Sequence, residues 1–162
     1  SGAGCIVATG DLGEEARIFL WRSEVPTAAS EGSAPAVRSI LSIDSGHTVG
    51  VGALAFAPGP GDAESLRLVS AGLDSSNKVS VHDIDLATAT PVCRLRCSSA
   101  SGNHRILHIA PNPHDANSFI TCAPNELTRW RVTQYGLSHS RLGLGDTIAT
   151  VAGFLSRTAA VV

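Results

Sequence analysis

The chain has 162 residues, of which 43% are hydrophobic and 16% charged, and a formal net charge of −2. That length gives one ordinary domain with enough chain to bury a core, and that balance belongs to folded globular sequences rather than disordered ones. Near neutrality removes the electrostatic case for a nucleic-acid partner, no apolar run approaches the ~20 residues of a membrane span, and the first four residues lack the basic and apolar regions of a signal peptide.

Taken in chain order, the sequence predicts short strands and no sustained helical periodicity. Cys5–Gly10 and Arg17–Trp21 are two strands joined by the polar turn Asp11–Glu15. Val25–Ala36 is a Pro/Ala/Ser/Glu loop, and Val37–Ile43 an outer strand. Val51–Pro58 opens a second unit. Its alternation places Val51, Ala53 and Ala55 on one face and Gly52, Leu54 and Phe56 on the other, so both faces are apolar, as for a strand sandwiched between sheets. Gly59-Pro60-Gly61-Asp62 is a turn by composition. Leu66–Gly72, Val79–Ile84 and Pro91–Cys97 complete that unit, and Ser98–His104 is a polar crossover.

A third unit follows: Arg105–Ala110, the turn Pro111-Asn112-Pro113-His114-Asp115, then Ser118–Ala123, Leu127–Thr133 and Ser138–Leu144. Thr147–Leu155 reads as the opening of a fourth. Gly, Pro and Ser punctuation every 8–12 residues argues for an all-β protein. The sequence contains no Met. Its pattern is already under way at Cys5 and breaks off at Val162, so the expectation is a portion of a longer chain.

The four cysteines lie in apolar runs, which predicts reduced core thiols in an intracellular protein. Cys93 and Cys97, read with Leu95 as one face of one strand, are separated by roughly 13 Å of extended chain. A disulfide needs Cα atoms within about 7 Å, so these two do not pair with each other.

The units repeat. Trp21 ends Arg17-Ile18-Phe19-Leu20-Trp21, His82-Asp83 ends Lys78-Val79-Ser80-Val81-His82-Asp83, and Trp130 ends Glu126-Leu127-Thr128-Arg129-Trp130. Each follows a small-residue apolar strand and a polar turn. The intervals of 61 and 48 residues lie a little above the roughly 40–45 of a WD40 blade.

The second unit is the most specific: Gly46-His47, then Leu68-Val69-Ser70-Ala71-Gly72-Leu73-Asp74, then Val79-Ser80-Val81-His82-Asp83. It resembles the WD40 repeat, in which a Gly-His, a strand Ser/Thr, a turn Asp and a Trp form a hydrogen-bonded chain across a blade. His47, Ser70 and Asp74 match three of the four members, and His82 stands for the Trp. A histidine there is expected to pack and to donate from a ring nitrogen while burying less area than an indole. Units one and three keep Trp21 and Trp130 but carry Arg22 and Arg131 where the Asp belongs.

Within that fold the chain is most similar to the echinoderm-microtubule-associated-protein-like family. Val7-Ala8-Thr9-Gly10 with Arg17–Trp21 resembles the family's Ile-Ala-Thr-Gly segment and Arg-Ile-Trp strand. Leu73–Asp83 resembles its Asp/Ser/Asn-rich turn and following strand. Asn112-Pro113-His114-Asp115-Ala116-Asn117-Ser118-Phe119-Ile120-Thr121-Cys122 resembles its His-Pro-x-Asp-x-Asn-x-Ile-x-Thr-Cys stretch. The resemblance implies about three four-stranded blades (roughly residues 5–45, 46–97, 98–145 and the start at 146–162) cut from a larger propeller. It implies a cytoplasmic, cytoskeletal protein of microtubules or axonemes, those of a cilium or flagellum included, and Trp21, His47, Ser70, Asp74, His82, Asp83 and Trp130 as structural positions.

Catalytic constellations do not emerge from the sequence. Ser101–His104 lacks the Gly-x-Ser-x-Gly elbow of a hydrolase. His104 and His108 stand four apart on an expected strand, which separates them, with no further ligand at zinc spacing. Gly50-Val51-Gly52 and Gly59-Pro60-Gly61 lack the third glycine of a dinucleotide loop. Asp83 and Asp85 share a strand face, whereas glycosidase carboxylates converge across a cleft; a solvated strand end fits them better. No catalytic, cofactor or metal residue is therefore expected.

The leading expectation is a non-catalytic scaffold that meets tubulin or axonemal proteins through loops and strand edges. An arc of about three blades is further expected to need completion, by missing blades or by self-association. The alternative is an enzyme that uses a propeller's central channel, and the residues at the channel mouth would discriminate.

Overall fold

The computed structural model describes residues 5–23, 37–61, 64–88 and 90–143. Among them are eleven strands and no helix: β1 Cys5–Gly10, β2 Ala16–Ser23, β3 Val37–His47, β4 Val51–Pro58, β5 Ser65–Gly72, β6 Val79–Asp85, β7 Val92–Ser99, β8 His108–Pro111, β9 Ser118–Ala123, β10 Glu126–Thr133 and β11 Gly136–Leu142. They form three antiparallel meanders, β1-β2-β3, β4-β5-β6-β7 and β8-β9-β10-β11. The all-β expectation holds, as a fan of consecutive sheets packed face to face in the manner of part of a propeller.

The strands fall close to their expected places, with local departures. Pro91 stays outside β7, since it has no N–H to give a ladder. The third sheet opens at His108 rather than Arg105, because Ile106 turns into the core, where it is 2% exposed. β3 runs on to His47, pairing it with Ala16, while the Ser45 hydroxyl donates to the Ala16 carbonyl. The predicted strand Thr147–Leu155, the Val25–Ala36 loop, Asp62 and Leu144 lie outside the described residues.

Register identifies the equivalent strands. Val7 pairs with Trp21, Leu68 with His82, and Phe119 with Trp130. β1, β5 and β9 are therefore counterparts, as are β2, β6 and β10. The first sheet has no strand among the described residues in the place that β4 and β8 fill elsewhere.

The middle sheet is sandwiched. Leu68 and Ile84 pack with Ile18, Leu20 and Ile43 of the first sheet. The alternate residues Val69, Ala71, Val79 and Val81 pack with Ile109, Phe119, Trp130 and Val132 of the third. Period-two alternation in a strand with two apolar faces thus builds one core on each side. Large, β-branched and aromatic side chains dominate both cores, where each fully buried side chain is worth about 1.5–3 kcal/mol relative to exposure.

Two bulges change faces that simple alternation assigns. Between Val51 and Ala53 the register slips at Gly52, so Val51 joins Leu54 and Phe56 against the first sheet and not Ala53 and Ala55 against the third. An added Cβ at Gly52 would lie 2.6 Å from Leu73 Cδ2, which is why the extra residue is a glycine. A second slip at Arg96 pairs Val81 with Cys97 but His82 with Leu95. Cys93 and Cys97 therefore pack into opposite cores while Leu95 is exposed, which corrects the expectation of one shared face. All four cysteines are free thiols. Burial pushes Cys93 up to about 11, with Asp83 acting in the same direction, and burial raises Cys97. Both are poor nucleophiles at neutral pH.

Candidate functional site

Residues that tie strand to strand and sheet to sheet form the most specific constellation in the chain. The three sheets solve one problem in two ways. In the third, Trp130 Nε1–H donates to Thr121 Oγ1 at 2.8 Å; the indole is 0% exposed. Phe119 stacks beside it at 6.0 Å between ring centroids, and the His139 ring lies at 4.5 Å. In the first, Trp21 Nε1–H donates to Thr9 Oγ1, also at 2.8 Å. Thr9, Ser70 and Thr121 occupy equivalent places, each two residues beyond the strand partner of the Trp or His. An indole buried at such a position needs an acceptor for its N–H, and the strand hydroxyl supplies it.

The middle sheet rearranges the tie. His47 Nε2 and Ser70 Oγ share a hydrogen bond at 2.9 Å. His47 Nδ1 stands 3.8 Å from Asp74 Oδ2, an electrostatic contact without hydrogen-bond geometry. Asp74 Oδ1 closes its own turn by accepting from the Ser76 N–H and hydroxyl and the Lys78 N–H, at 3.1, 2.6 and 3.2 Å. Burial pulls the Asp74 carboxyl upward, but the hydrogen bonds from Ser76 and Lys78 outweigh it and hold it below its ordinary value. Gly72 makes room for the pair: a Cβ there would sit 2.5 Å from both Asp74 Oδ2 and His47 Nδ1.

The structure places His47, Ser70 and Asp74 side by side, and His82 stands apart from them. It is 1% exposed, faces the first sheet with the Asp44 backbone beside its ring, and makes no hydrogen bond to Ser70. An imidazole is shorter than an indole, and Ser70 is already engaged by His47. Burial, followed by the charge of His47, lowers its pKa to about 4, against smaller opposing effects of Asp44 and Asp83. Burial likewise lowers His47, with Asp74 opposing and Lys78 reinforcing.

This arrangement has a pH consequence. A histidine with a folded pKa near 4 and an unfolded value of 6.5 is neutral in both states at pH 7 and contributes no penalty there. Below 6.5 the unfolded chain takes up the proton first, so stability falls with pH until the folded pKa is reached. The expected loss between pH 7 and pH 4 is about 3 kcal/mol from this residue. His47 acts in the same direction. Urea unfolding at pH 7, 6 and 5 measures it, and His82→Phe should flatten the slope.

Asp83 is not the solvated strand end that the sequence suggested. It faces Arg67, its strand partner, whose Nε donates to Asp83 Oδ1 at 2.7 Å. Arg67 is 2% exposed. Its Nη1 reaches across to the third sheet, donating to the Ala116 carbonyl at 2.7 Å and Asn117 Oδ1 at 2.9 Å. The Asn112–Asn117 turn is shaped to receive it: Asp115 Oδ1 accepts the Asn117 N–H at 2.9 Å, and Asn112 Oδ1 the His114 N–H at 3.0 Å. Asp115 also pairs with Arg131 at 3.5 Å. Sequence reading missed Arg67. Its signal was a cation inside the apolar run Leu66-Arg67-Leu68-Val69, set opposite an Asp in the next strand.

A cleft of about 590 Å³ at the outer edge of the middle sheet is lined by Asp83, Asp85, Arg94 and Arg96 among others. Asp83 is held by Arg67, and Asp85 accepts the Ala87 N–H at 2.9 Å. His104 lies in the β7–β8 connection and His108 is exposed at the start of β8. Among the described residues no group of three or more His, Cys, Asp and Glu side chains could hold a metal ion, and no helix is long and apolar enough to cross a membrane. No protein-family model matches the chain.

Proposed function

We propose that this chain is a scaffold segment of a WD40-type propeller, without catalytic activity, whose parent protein associates with microtubules or axonemal partners. The observation that carries the WD40 reading is a repeated placement: Trp21, His82 and Trp130 each have a hydroxyl residue (Thr9, Ser70, Thr121) two positions beyond their partner on the preceding strand, and both indoles donate to theirs. The His47–Ser70–Asp74 arrangement adds to it. Support for microtubules comes from the three stretches that resemble the echinoderm-microtubule-associated-protein-like family. One of them, Asn112–Cys122, supplies the turn that Arg67 grips.

Such a scaffold presents loops and sheet edges held in fixed relation by the inter-sheet ties. With a net charge of −2 the segment has no electrostatic attraction to the acidic surface of tubulin, so microtubule affinity in this reading rests on shape here and on basic sequence elsewhere in the parent. Co-sedimentation with polymerised tubulin, using this chain in its full-length context, tests it. Pelleting at low salt, where attraction between charges is least screened, is the expected result. Failure to pellet there leaves a WD40-type scaffold of other partners and removes the microtubule assignment.

A further inference from the structure

The two seams between sheets differ in what they bury. Between the second and third sheets the packed side chains are mainly aliphatic and aromatic, and the cation that crosses, Arg67, keeps its charge at every working pH. Between the first and second sheets the packing changes character along its length. One end is the cluster Ile18, Leu20, Ile43, Leu68 and Ile84. Toward the other end the buried positions turn polar: Ser45 and His47 follow Ile43 on β3, Ser70 follows Leu68 on β5, and Ser80 and His82 precede Ile84 on β6. Each of those five polar side chains is at most 2% exposed.

The two buried histidines among the described residues thus share one seam. His82 projects from β6 with the Asp44 backbone of β3 beside its ring, and its strand partners on β5 and β7, Leu68 and Leu95, carry no charge. His47 reaches from the end of β3 to Ser70 of β5. The surrounding charges are mixed. Asp44 and Asp83 favour a proton on His82, and the charge of His47 opposes it; Asp74 favours a proton on His47, and Lys78 opposes it. Glu14, Glu15 and Arg17 line a cavity of about 290 Å³ together with Asp44 and His47. Burial outweighs the carboxylates at both rings, so the closed seam favours two neutral histidines. Ser80 Oγ and His47 Nδ1 also find no hydrogen-bond partner there. Water would satisfy both if the sheets parted.

We infer that the seam between the first and second sheets is an acid-sensitive joint: a proton taken up at His82 or His47 releases the first sheet from the second, while the second and third stay packed. Parting the sheets lets water reach both rings and returns them to their ordinary value of 6.5. Below that value the open state takes up the proton first, so the open fraction grows as the pH falls. Once released, β1, β2 and β3 lose the apolar cover of Leu68 and Ile84, and their backbone hydrogen bonds open to exchange. The second seam holds no buried histidine among the described residues and gains no such drive. The inference rests on how the sheets pack and is independent of the microtubule reading.

Hydrogen exchange read by mass spectrometry tests this, at pH 7 and pH 5, with this chain in its full-length context and rates corrected for the intrinsic pH dependence of exchange. Peptides from β2 report the first sheet and peptides from β10 the third. The opening seen in β2 should rise at least about 10-fold from pH 7 to pH 5, as for a histidine passing from a buried ring at about 4 to a hydrated one at 6.5. The opening seen in β10 should change less than about 3-fold, since its seam buries no histidine. His82→Phe should remove most of the rise. Adding His47→Asn should remove the rest, because the amide can still hydrogen-bond Ser70 but takes up no proton. The unsubstituted protein carries the test through its two strands even where a variant does not fold. No rise in β2, an equal rise in β10, or a rise that persists in the folded double variant would each overturn the inference.

Discussion

Replacing Asp83 with alanine is expected to cost about 3 kcal/mol of folding stability, more than replacing its partner Arg67 with methionine. Removing one member of a buried pair leaves the other charge unpaired, which typically costs about 3–5 kcal/mol. The two members are not equally exposed to that penalty. The Asp83 side chain is 28% exposed and can be rehydrated when Arg67 is lost, whereas Arg67 is 2% exposed and cannot. The hydrogen bonds of Arg67 to Ala116 and Asn117 survive Asp83→Ala and place the cost at the lower end of the range. Arg67→Met fills the same volume with an apolar chain, a change that often approaches neutrality when the partner charge is also removed. The double variant should therefore recover much of what Asp83→Ala loses. Urea unfolding of the four members of that cycle measures it; equal costs for the two single changes would refute the asymmetry.

The strand pattern was legible because two signals coincide in this sequence. Apolar alternation marks each strand, and Gly, Pro, Asn and Asp mark the turns between them. Asn77 and Asn125, the two non-glycine residues with positive φ (44° and 57°) among the described residues, sit in such turns. The faces were less legible. A period-two reading assumes an unbroken ladder, and one extra residue at Gly52 or Arg96 moves Val51 or Cys97 to the other side. That slip depends on the partner strand and leaves no local mark beyond the glycine.

Among the site residues, His47, Ser70 and Asp74 were legible because their spacing belongs to a repeat pattern. His82 pairs with Leu68 as the tryptophans pair with Val7 and Phe119, but Ser70 is engaged by His47 instead, which depends on side-chain length and packing. Arg67 was invisible for another reason. Its charge is neutralised by a residue 16 positions on and shared with a turn 49 and 50 positions on. An isolated cation in an apolar run becomes interpretable only once the strands are in register.

Trp130→Ala should be the most damaging single change in the chain, at about 3–5 kcal/mol, the usual range for emptying a buried aromatic site. The indole is 0% exposed and stacks on Phe119, and it closes the Thr121 hydroxyl. Its loss would leave a cavity at the centre of the core shared by the second and third sheets, with Thr121 unpaired inside it. A domain of ordinary stability holds only about 5–15 kcal/mol in all. Trp21 and Trp130 hold equivalent strand positions, and the structure separates them by burial. Trp21 makes the same hydrogen bond to its own threonine, but its face is half open because no preceding sheet covers it among the described residues. Trp21→Ala should therefore cost less than half as much in the monomer, since little of its transfer energy is realised there. Urea unfolding at ~1 μM protein, with a shared m-value, compares the two, and acrylamide should quench Trp21 readily but Trp130 weakly. Equal losses, or equal quenching, would show that a cover over the first sheet already exists within the single chain.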